Sequence, residues 1–300
     1  MTTEFIDWNN LKNPVYEHPG WSVKDACMIF HDGYFYIFFS AFYKDEGRER
    51  SHVCSVKTRD FKQFSEPLFD WRGKKEGWIG LCSPNISKTG NLFYLTYNSW
   101  GDKRDKTNQL FCATSKNFED WEYFHIALEL TLDIRAIDAA IAFDDGRFIL
   151  SYKEKQRPKM GWTDDIREGP WHEIGLVAGG LMWMENTELI KIDGKWHVVC
   201  TMKSPHPMIS QMDEDEAKND EMEKWLAFAD FKEMVVPREK FNTHSHANAP
   251  FLADWRQHDG YFYLLYAGNT EGITHKRRGD NRLGLARSRD LETWEVPGHQ

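Results

Sequence analysis

The most constraining feature of the sequence is a hairpin pattern that returns along the whole chain. Each copy is an apolar run, a tight turn carrying glycine, then an alternating run rich in aromatics. The copies read DACMIFHDGYFYIFFS (25–40), SPNISKTGNLFYLTY (83–97), DAAIAFDDGRFILSY (138–152), ENTELIKIDGKWHVVCT (185–201) and APFLADWRQHDGYFYLLYA (249–267). Their turn glycines are Gly33, Gly90, Gly146, Gly194 and Gly260, 48 to 66 residues apart. Asp-Gly or a near equivalent between two strand-like runs signals a hairpin, because both turn residues take positive φ. A second tight-turn motif follows every hairpin: TRDFKQF (58–64), SKNFEDW (115–121), TDDI (163–166), FADFKEM (228–234) and SRDLETW (288–294). Four short antiparallel strands recurring at this period make a propeller blade. The expected fold is all-β: a five-bladed β-propeller with four antiparallel strands per blade, spanning residues 1–300 as one domain. No stretch of helical periodicity is long enough to build a helical solenoid.

Blade geometry sorts the residues into two faces. Strand one runs down the central channel and strand two returns, so the Asp-Gly hairpins and the third-to-fourth turns share the bottom. The top loops are then 41–51, 98–108, 153–160, 203–224 and 268–281. They vary in length and carry charge, whereas the bottom turns repeat, and function on a repeated scaffold sits in what varies. Asp32, Asp145, Asp193 and Asp259 belong to hairpin turns, and Asp60, Asp165, Asp230 and Asp290 to the second turns, so these acids read as turn chemistry.

Composition removes other classes. Apolar residues at 41% and charged residues at 28% are ordinary for a globular chain, which excludes disorder and collagen-like folds. A formal charge of −9 argues against nonspecific nucleic-acid binding. No apolar run approaches a membrane span, and the opening MTTEFIDWNN lacks the features of a signal peptide, so no membrane partner is expected and a cytoplasmic setting is. The five cysteines are odd in number and never spaced C-x-x-C, which speaks against a disulfide framework and a structural zinc site. Aromatics at 15%, with 13 Trp, imply a thick β core or stacking surfaces for flat ligands.

Three acids open strand one of their repeats. Asp25 lies eight residues before Gly33, Asp138 eight before Gly146, and Glu185 nine before Gly194. A single such acid can be a turn cap. Three of them, each followed by a core strand, converge on one axial pocket, where crowded like charges raise one another's pKa. Glu188, three residues after Glu185, is expected on the opposite side of its strand. The run Asp213-Glu214-Asp215-Glu216 reads as solvated surface.

In these segments the chain resembles glycoside hydrolase family 43, the arabinanase and β-xylosidase family of five-bladed propellers. The matches are DACMIFHDGYFY (25–36), RAIDAAIAFDDG (135–146) and MENTELI (184–190). The resemblance implies a glycosidase with Asp25 as general base, Asp138 as pKa modulator and Glu185 as general acid. It departs at Ala26, where the family usually has Pro, and at Asn186-Thr187, where it has Gly-Pro; the Asn-Asp-Pro-Asn signature of the related fructan hydrolases is absent. The expected reaction is inverting hydrolysis of a furanoside or xyloside in an oligosaccharide or glycoside. A non-catalytic carbohydrate-binding propeller and a phosphorylase remain open, the latter predicting an anion site of Arg, Lys and His beside the pocket.

Around the pocket, Trp21, Phe42, Trp78, Trp100 and Trp183 can reach the top. Phe42 and Trp100, which end strand two, are the candidate sugar-stacking rings, and Arg135 and Lys153 are candidate polar contacts. Lys103, Arg104, Lys106, Lys153, Lys155, Arg157, Lys159 and the run His275-Lys276-Arg277-Arg278 give the top a basic share; it serves solubility or an anionic sugar such as a uronate. His246, in THSHANAPF (243–251), is expected to mirror Asp25, Asp138 and Glu185 around the axis. The resemblance implies a hydrated structural calcium ion there, with no cofactor required for the chemistry; a histidine hydrogen-bonded within its blade is the other reading.

Overall fold

A computed structural model describes residues 5–72, 80–100, 109–177, 180, 183–213, 221–270 and 281–298. The apolar and aromatic alternation folds as strands that pair in runs of four. The first run is β1 (Ser22–His31), β2 (Tyr34–Asp45), β3 (Arg48–Thr58) and β4 (Phe69–Arg72); the next is β5 (Gly80–Thr89), β6 (Leu92–Trp100), β7 (Leu110–Ser115) and β8 (Glu122–His125). Then come β9 (Ala136–Asp144), β10 (Arg147–Glu154), β11 (Arg157–Thr163) and β12 (His172–Leu176), and β13 (Glu185–Ile192), β14 (Lys195–Thr201), β15 (Met208–Gln211) and β16 (Lys232–Glu233). The last run is β17 (Ser245–Asp254), β18 (Phe262–Asn269), β19 (Arg282–Ser288) and β20 (Trp294–Glu295). Each run is antiparallel; one parallel bridge, Ser51 to Gly80, joins the first two into an eight-stranded sheet, and the other three sheets have four strands. Gly80 permits that contact, since a Cβ there would lie 1.7 Å from the Ser51 carbonyl oxygen. Among the described residues no helix is long and apolar enough to cross a membrane.

The four-strand units pack face to face in chain order and close on themselves. β1 lies beside β5, β5 beside β9, β9 beside β13, β13 beside β17, and β17 beside β1. Apolar side chains fill each junction. Leu110, Ile141 and Leu150 join the units of β5–β8 and β9–β12, and Met160, Val198 and Trp225 join the next pair. Val23, Phe38, Tyr263 and Leu285 join the last unit to the first. Each such side chain, fully buried, is worth roughly 1.5–3 kcal/mol. The segment before β1 adds to the closure: Val15 N–H donates to the Leu283 carbonyl at 2.8 Å, and the Asn13 side chain accepts from Leu285 N–H at 2.9 Å.

The turns follow the sequence in detail. Asp32-Gly33, Asp145-Gly146 and Asp193-Gly194 take paired positive φ values of 49 and 77°, 48 and 79°, and 49 and 82°. The Asp259-Gly260 expectation is corrected. Arg256–Asp259 forms a short helix, here α2 after α1 (Leu128–Thr131), and Gly260 caps it at φ 86°. The 41–51 loop is also corrected: β2 and β3 run on to a tight turn at Glu46-Gly47, and β15 occupies part of 203–224. In the second turns a hydroxyl accepts two backbone N–H groups and an acid or amide accepts two more. Thr58 with Asp60, Ser115 with Asn117 and Ser288 with Asp290 each do this. In FADFKEM, Phe228 stands where the other motifs have Ser or Thr.

Candidate active site

The innermost strands carry one local distortion at matching places. Two residues oppose one partner at Asp25-Ala26 across from Phe39, Ser83-Pro84 from Tyr97, Asp138-Ala139 from Tyr152, Asn186-Thr187 from Cys200, and Ala249-Pro250 from Tyr266. These are β-bulges, which bend a strand and re-aim its side chains. The first residue of each bulge is left-handed, with φ of 51, 54, 58, 50 and 49° at Asp25, Ser83, Asp138, Asn186 and Ala249. Left-handed backbone is unfavourable for a residue with a Cβ, and such strain clusters at functional sites. The bulges surround a small cavity of about 20 Å³ lined by all of these residues, room for one water.

In four of the five units the residue of strand two that faces the start of the bulge points at the next unit. Ser40 Oγ accepts from Ser83 N–H at 2.7 Å, Asn98 Oδ1 from Asp138 N–H at 3.0 Å, and Thr201 Oγ1 from Ala249 N–H at 3.0 Å. Lys153 occupies the corresponding place on β10, opposite Ile137, as Ser40 is opposite Lys24 and Asn98 opposite Cys82. Its ammonium reaches Glu185 Oε1 at 2.6 Å and Asp138 Oδ2 at 3.5 Å. Lys153, named from sequence as a substrate contact, is therefore a buried counter-ion, 6% exposed.

Asp25, Asp138 and Glu185 do come together. Asn186 links two of them: its side-chain N–H donates to Asp25 Oδ1 at 3.2 Å and its backbone N–H to Asp138 Oδ2 at 3.2 Å. Lys24 adds a second cation, 3.2 Å from Asp25 Oδ1. The aspartates are deep, at 7% exposure each, whereas the Glu185 side chain is 38% exposed. The expectation of mutual pKa elevation is corrected at Asp138. Burial alone would raise its carboxyl, but Lys153, the Asn186 N–H, Lys24 and Ser83 outweigh it and hold it below the usual range. Burial opposes the charge of both lysines, but Asp25, Glu185 and Asp138 hold Lys24, and Asp138 and Glu185 hold Lys153, above the ordinary lysine value.

The ring position in β13 is Asn186, so Glu185 precedes the bulge by one residue. In β17 it is Ala249, so His246 does not mirror the acids. His246 is buried, with Arg238 Nε 3.4 Å from its Nδ1 and the His206 ring 4.7 Å away between centroids. Burial, His206 and Arg238 all lower its pKa. An imidazole and a guanidinium do not suit an oxygen-loving cation, so the calcium ion does not fit this donor set, although His246 Nε2 is buried without a partner.

Phe42 and Trp100 meet edge to face at 5.5 Å, two residues beyond Ser40 and Asn98 on their strands, and so stand at the mouth. Arg135 is exposed just before β9. Trp21 stacks on His18, and Trp183 is 42% exposed beneath the Lys203 ammonium. Lys159 is tied to Glu154 and Glu173 at 2.7 and 3.2 Å. Trp78, Lys103, Arg104, Lys106, Glu214–Glu216 and His275–Arg278 lie outside the described residues. Sequence reasoning missed Lys24, Ser83, Asn98 and Asn186. Glu188 is not on the opposite side of its strand: the bulge offsets the odd spacing, and its partner Val199 is two residues from Thr201, the partner of Glu185, so the two acids share a face. It is 5% exposed, accepts from Leu252 N–H at 2.7 Å, and burial pushes its carboxyl well up.

No family model matches the chain. The curated 1,2-beta-oligomannan phosphorylase of Thermoanaerobacter sp. (strain X514) is 22% identical over 160 residues, about half of each chain (51% of this one, 52% of the relative). Among solved structures, a thermostable family-43 glycoside hydrolase superposes with a TM-score of 0.65 at 15% identity, covering 95% of this chain and 96% of that one. The family-43 enzyme of Xanthomonas citri in complex with xylotriose gives a TM-score of 0.61 at 14% identity, with 96% and 93% covered. The fold of this chain is that of the family-43 glycoside hydrolases, a β-propeller.

Proposed function

We propose that the chain is a five-bladed propeller glycosidase, a single catalytic domain whose axial carboxylates cleave a furanoside or xyloside linkage with inversion. The observation that carries this is the linked set of Asp25, Asp138 and Glu185: the strained bulges of Asp25, Asp138 and Asn186 line one axial cavity, Asn186 joins the two aspartates, and Lys153 joins Asp138 to Glu185 beside the bulge. Asp25, buried and fixed by Asn186 and Lys24, is the base that orients and deprotonates a water. Glu185, the exposed member, is the acid facing the glycosidic oxygen. Lys153 stands between Glu185 and Asp138, 2.6 and 3.5 Å from their nearest oxygens, and for acid work it must move from Glu185 toward Asp138. Asp138 thus serves as the resting place of that cation. Phe42 and Trp100 offer a sugar-stacking edge, and Arg135 a polar contact.

A second reading, phosphorolysis, is favoured by the oligomannan phosphorylase relative and by two ammonium groups at the pocket, Lys153 buried and Lys24 partly so. One experiment separates the two. Purified protein is given aryl furanosides, aryl xylosides and β-mannosides with and without inorganic phosphate, and the first-formed product is followed by NMR. Inverted free sugar independent of phosphate supports the hydrolase, and sugar 1-phosphate the phosphorylase. Retained configuration, or no turnover on any of these glycosides, defeats the proposal.

A further inference from the structure

A separate group of side chains lies on the outer half of the first unit, away from the axial cavity. His52 and Cys54 are two apart on β3 and so share a face; Asp70 on β4 is paired directly across from Cys54. His52 Nδ1 stands 3.1 Å from Asp70 Oδ1, and one ligand atom from each of the three residues lies within 4.8 Å of the others. His52 and Cys54 are fully buried. His52 Nδ1 and Asp70 Oδ1 face each other as an ion-pair contact without hydrogen-bond geometry, and His52 Nε2 has no hydrogen-bond partner. A buried polar ring left so costs free energy unless something meets it.

The surroundings order the group. Arg72 holds Asp70 by its other oxygen, with Nε and Nη2 at 2.9 and 2.6 Å from Oδ2, which turns Oδ1 toward His52. The Trp21 ring stands edge-on to His52 at 4.8 Å and Tyr43 lies 5.0 Å away, so the imidazole is walled by aromatics. Asp70 is 28% exposed, which leaves a path to solvent.

We infer that His52, Cys54 and Asp70 bind one divalent ion of the zinc class, with water as the fourth ligand. Imidazole, thiolate and carboxylate are together the donor set such an ion takes. Two donors on bonds near 2.0–2.1 Å at a tetrahedral angle stand about 3.3 Å apart, close to the His52–Asp70 separation. Binding deprotonates the Cys54 thiol, the proton leaving to solvent, and nothing is oxidised or reduced. The Arg72–Asp70 contact is the outer hydrogen bond that orients a ligand. Cysteine spacing could not reveal this, because the ligands are an H-x-C pair and one acid from the neighbouring strand.

Cobalt(II), which reports thiolate coordination by colour, tests it on the full chain after stripping with chelator. The expected result is one equivalent bound with a thiolate-to-cobalt absorption band, and a rise in Tm with zinc. Cys54→Ala abolishes the band, Asp70→Asn lowers affinity at least about tenfold, and Cys200→Ala, at a buried thiol elsewhere, leaves both unchanged. Circular dichroism checks that each variant is folded, and the partly exposed Asp70 keeps the test open should Cys54→Ala fail to fold. No band in the unsubstituted protein, or a band that survives Asp70→Asn at full affinity, overturns the site.

Discussion

Two sets of residues recur around this molecule, and the chain has treated them in opposite ways. At the outer turns the repeat keeps its chemistry: Thr58-Asp60, Ser115-Asn117, Thr163-Asp165 and Ser288-Asp290 fold the same turn of a hydroxyl with an acid or its amide. At the inner bulges it keeps the backbone and changes the chemistry. Asp25, Ser83, Asp138, Asn186 and Ala249 share a left-handed φ, yet they are two acids, a hydroxyl, an amide and a methyl. A repeated backbone with unrepeated side chains is what a site for an asymmetric ligand requires. A repeated backbone with repeated side chains needs only to fold.

The comparison predicts where substitutions will hurt activity and where they will hurt only stability. The largest effect belongs to the inner set. Asp25→Asn and Glu185→Gln should each lower kcat at least about 10²-fold with Tm nearly unchanged; near-native turnover by either would remove the distinction. Next is Lys153→Met, which strands Asp138 and Glu185 without their shared cation. Discounting for the exposure of Glu185, it should cost roughly 2–4 kcal/mol of stability in denaturant titration. It should also move the acid limb of stability. The pKa of Asp138 is depressed, so its contribution is present above the ordinary carboxylate range and lost as pH falls through the depressed value. Without Lys153 that loss should begin at higher pH, and an unmoved acid limb would argue that Lys24 and Asn186 suffice.

At the outer turns the effects should be small and purely structural. Ser288→Ala deletes the acceptor for Asp290 N–H and Leu291 N–H and should cost about 1 kcal/mol without changing kcat. Asp290, held at about 2 by the N–H groups of Thr293 and Glu292 and by Ser288, favours folding above the ordinary aspartate pKa. Stability should therefore fall as pH drops toward 2, and Asp290→Asn should flatten that part of the curve. A change in the pH profile of kcat in either variant would mean that the turns reach the site.

The sequence was most legible where a residue's role is local. Asp-Gly turns and hydroxyl–acid turns close through their own backbone, so five or six residues specify them. The axial ring was legible by counting back from the turn glycine, and the count fails where the turn changes. Asp25, Asp138 and Asn186 are all eight before their glycines, and the nine of Glu185 was the sign that it sits beside the ring position. Ser83 is only seven before Gly90, because glycine comes first in that turn. The helical turn at Arg256–Asp259 lengthens the last hairpin, so the count from Gly260 does not hold there, and Ala249 rather than His246 takes the ring position. The Lys153 ion pairs were beyond reach from sequence, since they depend on which unit a bulged strand turns its neighbour toward.

The clasp of residues 13–16 on β19 has a kinetic meaning. Asn13 and Leu285 are 272 positions apart, and the packing of the last unit on the first spans nearly as much chain. Hairpins can form early because their contacts are local, but this seam must wait until both ends exist and have found each other, at the entropic cost of the longest loop in the molecule. The seam is then the last structure to form, and the place where the first opening is expected when the protein comes apart.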